Sequence, residues 1–174
     1  MSLGQSILTT AALIIITLVV ISANRLILES QQDELMGEAY HLASEIANSM
    51  LTEASQKMFD PNPWYSWNSA SESFTPVYML GPNSSEMAAV PLPDRYPFKS
   101  IAGYNDFDDY HLYTRVVDTP IITGFQVRDS VFYISSSNPD TPYGYPTALK
   151  KMIVTVTHSL YLPKPLLFST VKSY

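Results

Sequence analysis

The chain has 174 residues, enough for one domain plus an extended element and too few for two comfortable cores. A net charge of -6 and the absence of cysteine exclude a basic nucleic-acid-binding surface, thiol catalysis, a disulfide framework and a Cys-based zinc site. Thirteen prolines and twelve tyrosines against six glycines point to a β-rich, turn-broken exterior domain and not to a disordered chain.

The opening stretch, MSLGQSILTTAALIIITLVVISANRLILES, carries no charge from Ile7 to Ile21. A cleaved secretory signal needs a basic leading region, and no Lys or Arg precedes Arg25. An anchor helix fits better. Ile7 to Ala23 is ~17 residues, or ~25 Å as a helix, near the lower limit for a bilayer span. The first proline of the chain is Pro61, so nothing in this run breaks a helix. Thr9, Thr10, Ala11 and Ala12 form a small-residue patch that allows close helix approach.

The helical pattern then continues through QQDELMGEAYHLASEIANSMLTEASQKMFD. Leu35, Ala39, Leu42, Ile46, Met50 and Ala54 recur at spacings of three and four, the period of one helix face. Ala43 and Ala47 lie beside that stripe and make a flat strip on which a sheet can pack. Glu34, Glu38, Glu45 and Glu53 are assigned to the opposite, solvated surface. A single helix from Gln5 to Met58 would be about 80 Å long, too long to find all its partners in one small domain. Ser22–Arg25 is the softest place in it, and continuity through that point is expected. The N-terminal half is apolar all round and the C-terminal half is amphipathic.

This layout resembles the type IV pilin-like proteins, the class of pilins, minor pilins and type II secretion pseudopilins: an apolar segment near the start, a long helix, then an antiparallel sheet. A second likeness is YNDFDDYHLY, from Tyr104 to Tyr113, which is similar to an acidic segment of some minor pilins that precedes a strand like Met152–Thr157. The family carries Glu at the fifth mature position. Here that position holds Gln5 if the chain matures at Met1, or Thr9 if a prepilin peptidase cuts after Gly4. The resemblance implies a filament core packed through Gln5, Thr9, Leu13, Ile15, Ile16, Leu18, Ile21 and Leu26. It also implies inner-membrane residence before assembly and bacterial pilus assembly machinery as a partner.

Beyond the helix, Asp60-Pro61-Asn62-Pro63 is a stop. Trp64, Tyr65, Trp67 and Phe74 are expected to lie over the helix C-terminus as a satellite core. Asn83-Ser84-Ser85 matches the N-glycosylation pattern. The chain is expected to stay irregular until IITGFQVRDSVFYIS, where Phe125, Val127, Val131 and Tyr133 alternate with Gln126, Arg128 and Ser130. SNPDTPYGYP is a turn cluster. KKMIVTVTHSLYL sets Met152, Val154 and Val156 against Lys151, Ile153, Thr155 and Thr157, and PLLFSTVKSY supplies a last strand. Three strands joined by turns form an antiparallel meander whose apolar side covers the helix stripe.

Asp106, Asp108 and Asp109, with Asn105, place hard oxygen ligands in one short loop and make Ca²⁺ a candidate, against a solvated acidic turn; the acidic run can also meet Arg95, Lys99 or Arg115 of its own or a neighbouring subunit. His41, His111 and His158 are scattered, and no zincin, P-loop or serine-elbow pattern is present, so the chain does not read as an enzyme. The expected fold is α+β. Residues 1–59 form the long helix, with 1–28 as a transmembrane or filament-core stem, and residues 60–174 form a β-rich extracellular head. The expected function is a structural subunit of an extracellular type IV pilus-like filament that polymerises with itself. The alternatives are a minor pilin or pseudopilin, and a single-pass membrane-anchored surface interaction protein.

Overall fold

The computed structural model describes residues 3–60, 74–83, 86, 94–95 and 103–174. The expected glycosylation serines and the aromatics Trp64, Tyr65 and Trp67 lie outside them. Helix α1 runs unbroken from Leu3 to Gln56, with no interruption at Ser22–Arg25. Two compact units divide the chain, Met1–Glu38 and Ala39–Tyr174, the second called the head below.

The head contains strands β1 (Asp94–Arg95), β2 (Thr114–Asp118), β3 (Phe125–Tyr133), β4 (Leu149–His158) and β5 (Leu162–Ser173). They form one sheet in the order β1-β2-β3-β4-β5. β2 to β5 are antiparallel neighbours, while β1 pairs with β2 in parallel. The fold is α+β as expected, but the sheet is larger than a three-stranded meander. β2 does not read as a strand in the sequence, because TRVVD carries two charges in five positions and Arg115 takes an inward place.

Alternation in β3 and β4 follows the expected parity, with Phe125, Val127, Val131 and Tyr133 and then Met152, Val154 and Val156 buried. The same parity turns Asp129 and Lys150 inward, and both are fully buried. The sheet's apolar face packs against the α1 positions Ala39, Leu42, Ala43, Ile46, Ala47, Met50 and Ala54. Alanine at four of these places brings backbone close to sheet, which maximises dispersion contacts. Leu35, assigned to the same stripe, is exposed, because burial of the stripe begins only at Ala39.

α1 ends at Gln56, before Asp60-Pro61. Met58 leaves the helix to bridge to the loop at Asp106: its N–H donates to Asn105 O (3.3 Å), and its carbonyl accepts from Phe107 N–H (2.9 Å). The Lys172 ammonium donates to the carbonyls of Ser55 (2.7 Å) and Lys57, and Lys57 Nζ donates to Tyr104 O (2.7 Å). A cation at the C-terminal carbonyls satisfies acceptors the helix leaves open and opposes its dipole. Phe74 does lie over this end of α1, edge-on to Phe59 and Tyr174 at 5.2 Å from each. In the β2–β3 connection Gly124 has φ +92, a conformation that disfavours a side chain, and its N–H donates to Asp118 Oδ1 (2.8 Å).

Candidate functional site

Two features stand apart from ordinary core and surface. The first is the apolar part of α1. From Leu3 to Leu28 its large aliphatic side chains are between 52 and 81 % exposed. By length and composition the helix can cross a membrane, and none of its most apolar window is buried. Gln5, Thr9, Leu13, Ile15, Ile16, Leu18, Ile21 and Leu26 all fall on exposed positions of α1, distributed around the helix and not along one stripe. Within one chain they form a surface, not a pocket.

Two hydroxyls in this stretch are satisfied within the helix. Thr9 Oγ1 donates to Gln5 O (3.1 Å) and Thr17 Oγ1 donates to Leu13 O (2.8 Å), so neither hydroxyl depends on water. The Arg25–Glu29 pair (2.8 Å), one turn apart and open to solvent, marks where charge begins.

The second feature is a buried charge centre built on Lys150. Its Nζ donates to Phe59 O (2.7 Å), Asp108 Oδ1 (2.5 Å) and Asp60 Oδ2 (3.4 Å). β4 supplies the lysine, the chain just past α1 supplies Phe59 and Asp60, and a 3₁₀ turn, Asp108–Tyr110, supplies the closest carboxylate. Asp60 Oδ2 also accepts from Thr75 N–H (2.8 Å), and Thr75 O accepts from Tyr133 Oη (2.8 Å).

The acidic loop is therefore not a solvated turn. Asp106, Asp108 and Asp109 are all buried. Asp106 Oδ1 accepts from the amides of Asp108 (2.8 Å) and Asp109 (3.2 Å), which winds the turn. Asp109 Oδ2 accepts from the amides of Asn105 (2.8 Å) and Asp106 (3.2 Å). Among the described residues the cation hydrogen-bonded to this loop is Lys150, while Lys99 lies outside them. Among the described residues no group of three or more His, Asp or Glu side chains converges as a metal site requires. Burial, followed by the charge of Asp108 and a hydrogen bond to it, pushes the Asp106 carboxyl up to about 8. Burial likewise raises Asp109, against the pull of its two amide donors.

A smaller polar group sits beside the helix. Tyr110 Oη donates to Glu53 Oε1 (2.5 Å), so Glu53 is half-buried and does not belong to the solvated face assigned to it. Asp129, whose N–H donates to Tyr113 O just before β2 (2.9 Å), has no hydrogen-bond partner on either carboxylate oxygen among the described residues. Burial pushes its carboxyl up to about 8, with Arg115 opposing and Glu53 adding to the shift. The histidines serve local structure. His111 Nδ1 accepts from Val131 N–H (3.2 Å), and His158 Nδ1 accepts from the amides of Leu160 (3.2 Å) and Tyr161 (3.1 Å) in the β4–β5 turn.

Lys150 and Asp129 lie outside the expected site, yet each carries a signal in the sequence. Lys150 shares the parity of Met152, Val154 and Val156, and Asp129 shares that of Val127 and Val131. A charge in phase with an apolar row is a buried charge. A long apolar N-terminal helix with a small antiparallel sheet is compatible with a pilin-like arrangement. Comparison of the chain with family models, with curated proteins and with solved structures finds no match.

Proposed function

We propose that the chain is a structural subunit of an extracellular type IV pilus-like filament that polymerises through the apolar part of α1. The observation that carries this reading is the all-round exposure of aliphatic side chains from Leu3 to Leu28 on a helix that continues, unbroken, into the head. Such a surface has no use in water. A surface helix that rests on one partner needs one apolar stripe, whereas this one demands apolar neighbours on every side.

The bilayer of the inner membrane provides them before assembly, and the same helices of neighbouring copies provide them afterwards. Moving from lipid to a helix core is apolar to apolar, so close packing and the assembly machinery drive it, not the hydrophobic effect. Once outside in water, releasing one subunit exposes the whole stem, at a cost on the order of tens of kcal/mol. The small-residue patch at Thr9–Ala12 allows close packing, and the internally bonded threonines can enter it without water. The head then faces outward.

The test is electron microscopy of sheared surface material, together with Leu13→Asp, Ile15→Asp and Leu18→Asp. A carboxylate at the middle of an apolar span costs about 2.5–3.5 kcal/mol, enough to abolish polymer formation when repeated in every copy. Filaments built from this chain and lost in the Asp variants are the expected result. Normal filaments from those variants overturn the proposal. Recovery only as detergent-soluble membrane protein favours the single-pass anchor, and scarcity relative to another filament protein by mass spectrometry favours the minor pilin.

A further inference from the structure

Lys150 and Asp108 meet under conditions that suit a reaction as well as an ion pair. Nζ lies 2.5 Å from Oδ1, with the two side chains 0 and 3 % exposed. The rings of Phe59 and Tyr133 stand 4.5 and 5.2 Å from Nζ and close the site to solvent. Nζ is held in place by Phe59 O and Asp60, while the side chain of Asp106 hydrogen-bonds that of Asp108. An amine, a carboxyl group and a second carboxyl group are thus fixed together in a dry, aromatic-lined space.

We propose that Lys150 and Asp108 are joined by an intramolecular amide bond that forms spontaneously in the folded head, with Asp106 shuttling the proton. The reactants begin as ammonium and carboxylate. Transfer of one proton from Nζ to the Asp108 carboxylate gives an amine and a carboxylic acid. The Nζ lone pair adds to Cγ of Asp108, and the C=O electron pair moves onto oxygen. Nitrogen then gives a proton to Asp106 as the Asp106 carboxyl gives one to the departing hydroxyl. The Cγ–O bond breaks, water leaves, and the Nζ–Cγ amide remains. Asp106 returns to its starting state, and no oxidant or co-reactant is needed.

Two further observations support the step. Asp106, raised to about 8, holds its proton at neutral pH and so can act as an acid there. Reaction also removes a buried cation and a buried anion together, and with them the desolvation cost of that pair, while Asp60 gives up the lysine's charge and keeps the Thr75 N–H. The remaining N–H can still donate to Phe59 O. The bond would tie the start of β4 to the turn before β2, closing a loop around β2 and β3. It is independent of the filament reading, since an uncrosslinked chain can still polymerise.

Intact mass of the full chain, purified in detergent and then denatured, tests it. The expected mass is lower than that of the sequence by one water. Proteolysis should release a branched peptide that fragments to Lys150 and Asp108. Lys150→Arg and Asp108→Ala should have their full masses. Asp106→Asn keeps an oxygen for the Asp108 and Asp109 amides, so it should fold with the wild-type circular dichroism yet fall from complete crosslinking to none. Folded wild-type chain at full mass after incubation at neutral pH overturns the proposal whatever the variants do. So does a water loss mapped to other residues, and a folded Asp106→Asn chain that still crosslinks overturns the shuttle.

Discussion

Replacing Lys150 by Met measures what the buried centre contributes to stability. The substitution keeps side-chain length and removes the charge, taking from Asp108 Oδ1 and Phe59 O the donor that Lys150 supplies. Removing one partner of a buried ion pair costs about 3–5 kcal/mol. For a unit the size of Ala39–Tyr174, each kcal/mol lowers Tm by about 3–4 °C, so the expected drop is about 10–20 °C. Loss of the proposed amide adds the entropy of a closed loop. For partners 42 positions apart this is on the order of 4 kcal/mol, and the drop about doubles. The assay is thermal unfolding of the full chain in detergent, followed by near-ultraviolet circular dichroism of the head's aromatics. A Tm within about 3 °C of wild type refutes the reasoning, since the lysine would then be contributing no more than a methionine packed in its place.

Asp129 predicts a pH dependence of known sign. Its folded carboxyl sits near 8, against about 4 in the unfolded chain, so between those values the folded state binds the extra proton. Its contribution to stability is present in full below about pH 4 and is lost as pH rises toward 8, at up to about 1.4 kcal/mol per pH unit. Wild-type Tm should therefore fall from pH 5 to pH 8, and Asp129→Asn should flatten that slope; an unchanged slope counts against the assignment. Lys172→Ala should cost about 0.5–1 kcal/mol by uncovering the last carbonyls of α1, seen as faster amide exchange at residues 53–57 with little change in the strands.

Local pattern determined the outline of this protein. The uncharged run and the stripe from Ala39 to Ala54 specify a long helix with two characters, because a period near 3.6 is a property of backbone geometry alone. Alternation in GFQVRDSVFY and KMIVTVTH specifies β3 and β4 for the same reason. β2 escaped because Arg115 breaks the apolar row that marks a half-buried strand. The acidic loop was legible as a cluster but not as a buried one, since burial of a carboxylate depends on its partner. That partner is 42 positions away, and the carbonyl that helps hold it is 91 positions from it. The tertiary structure alone decided that Lys150, Asp108 and Asp106 come together in one buried place, because only the packing of β4 against the chain leaving α1 and the turn at Asp108–Tyr110 brings them within reach.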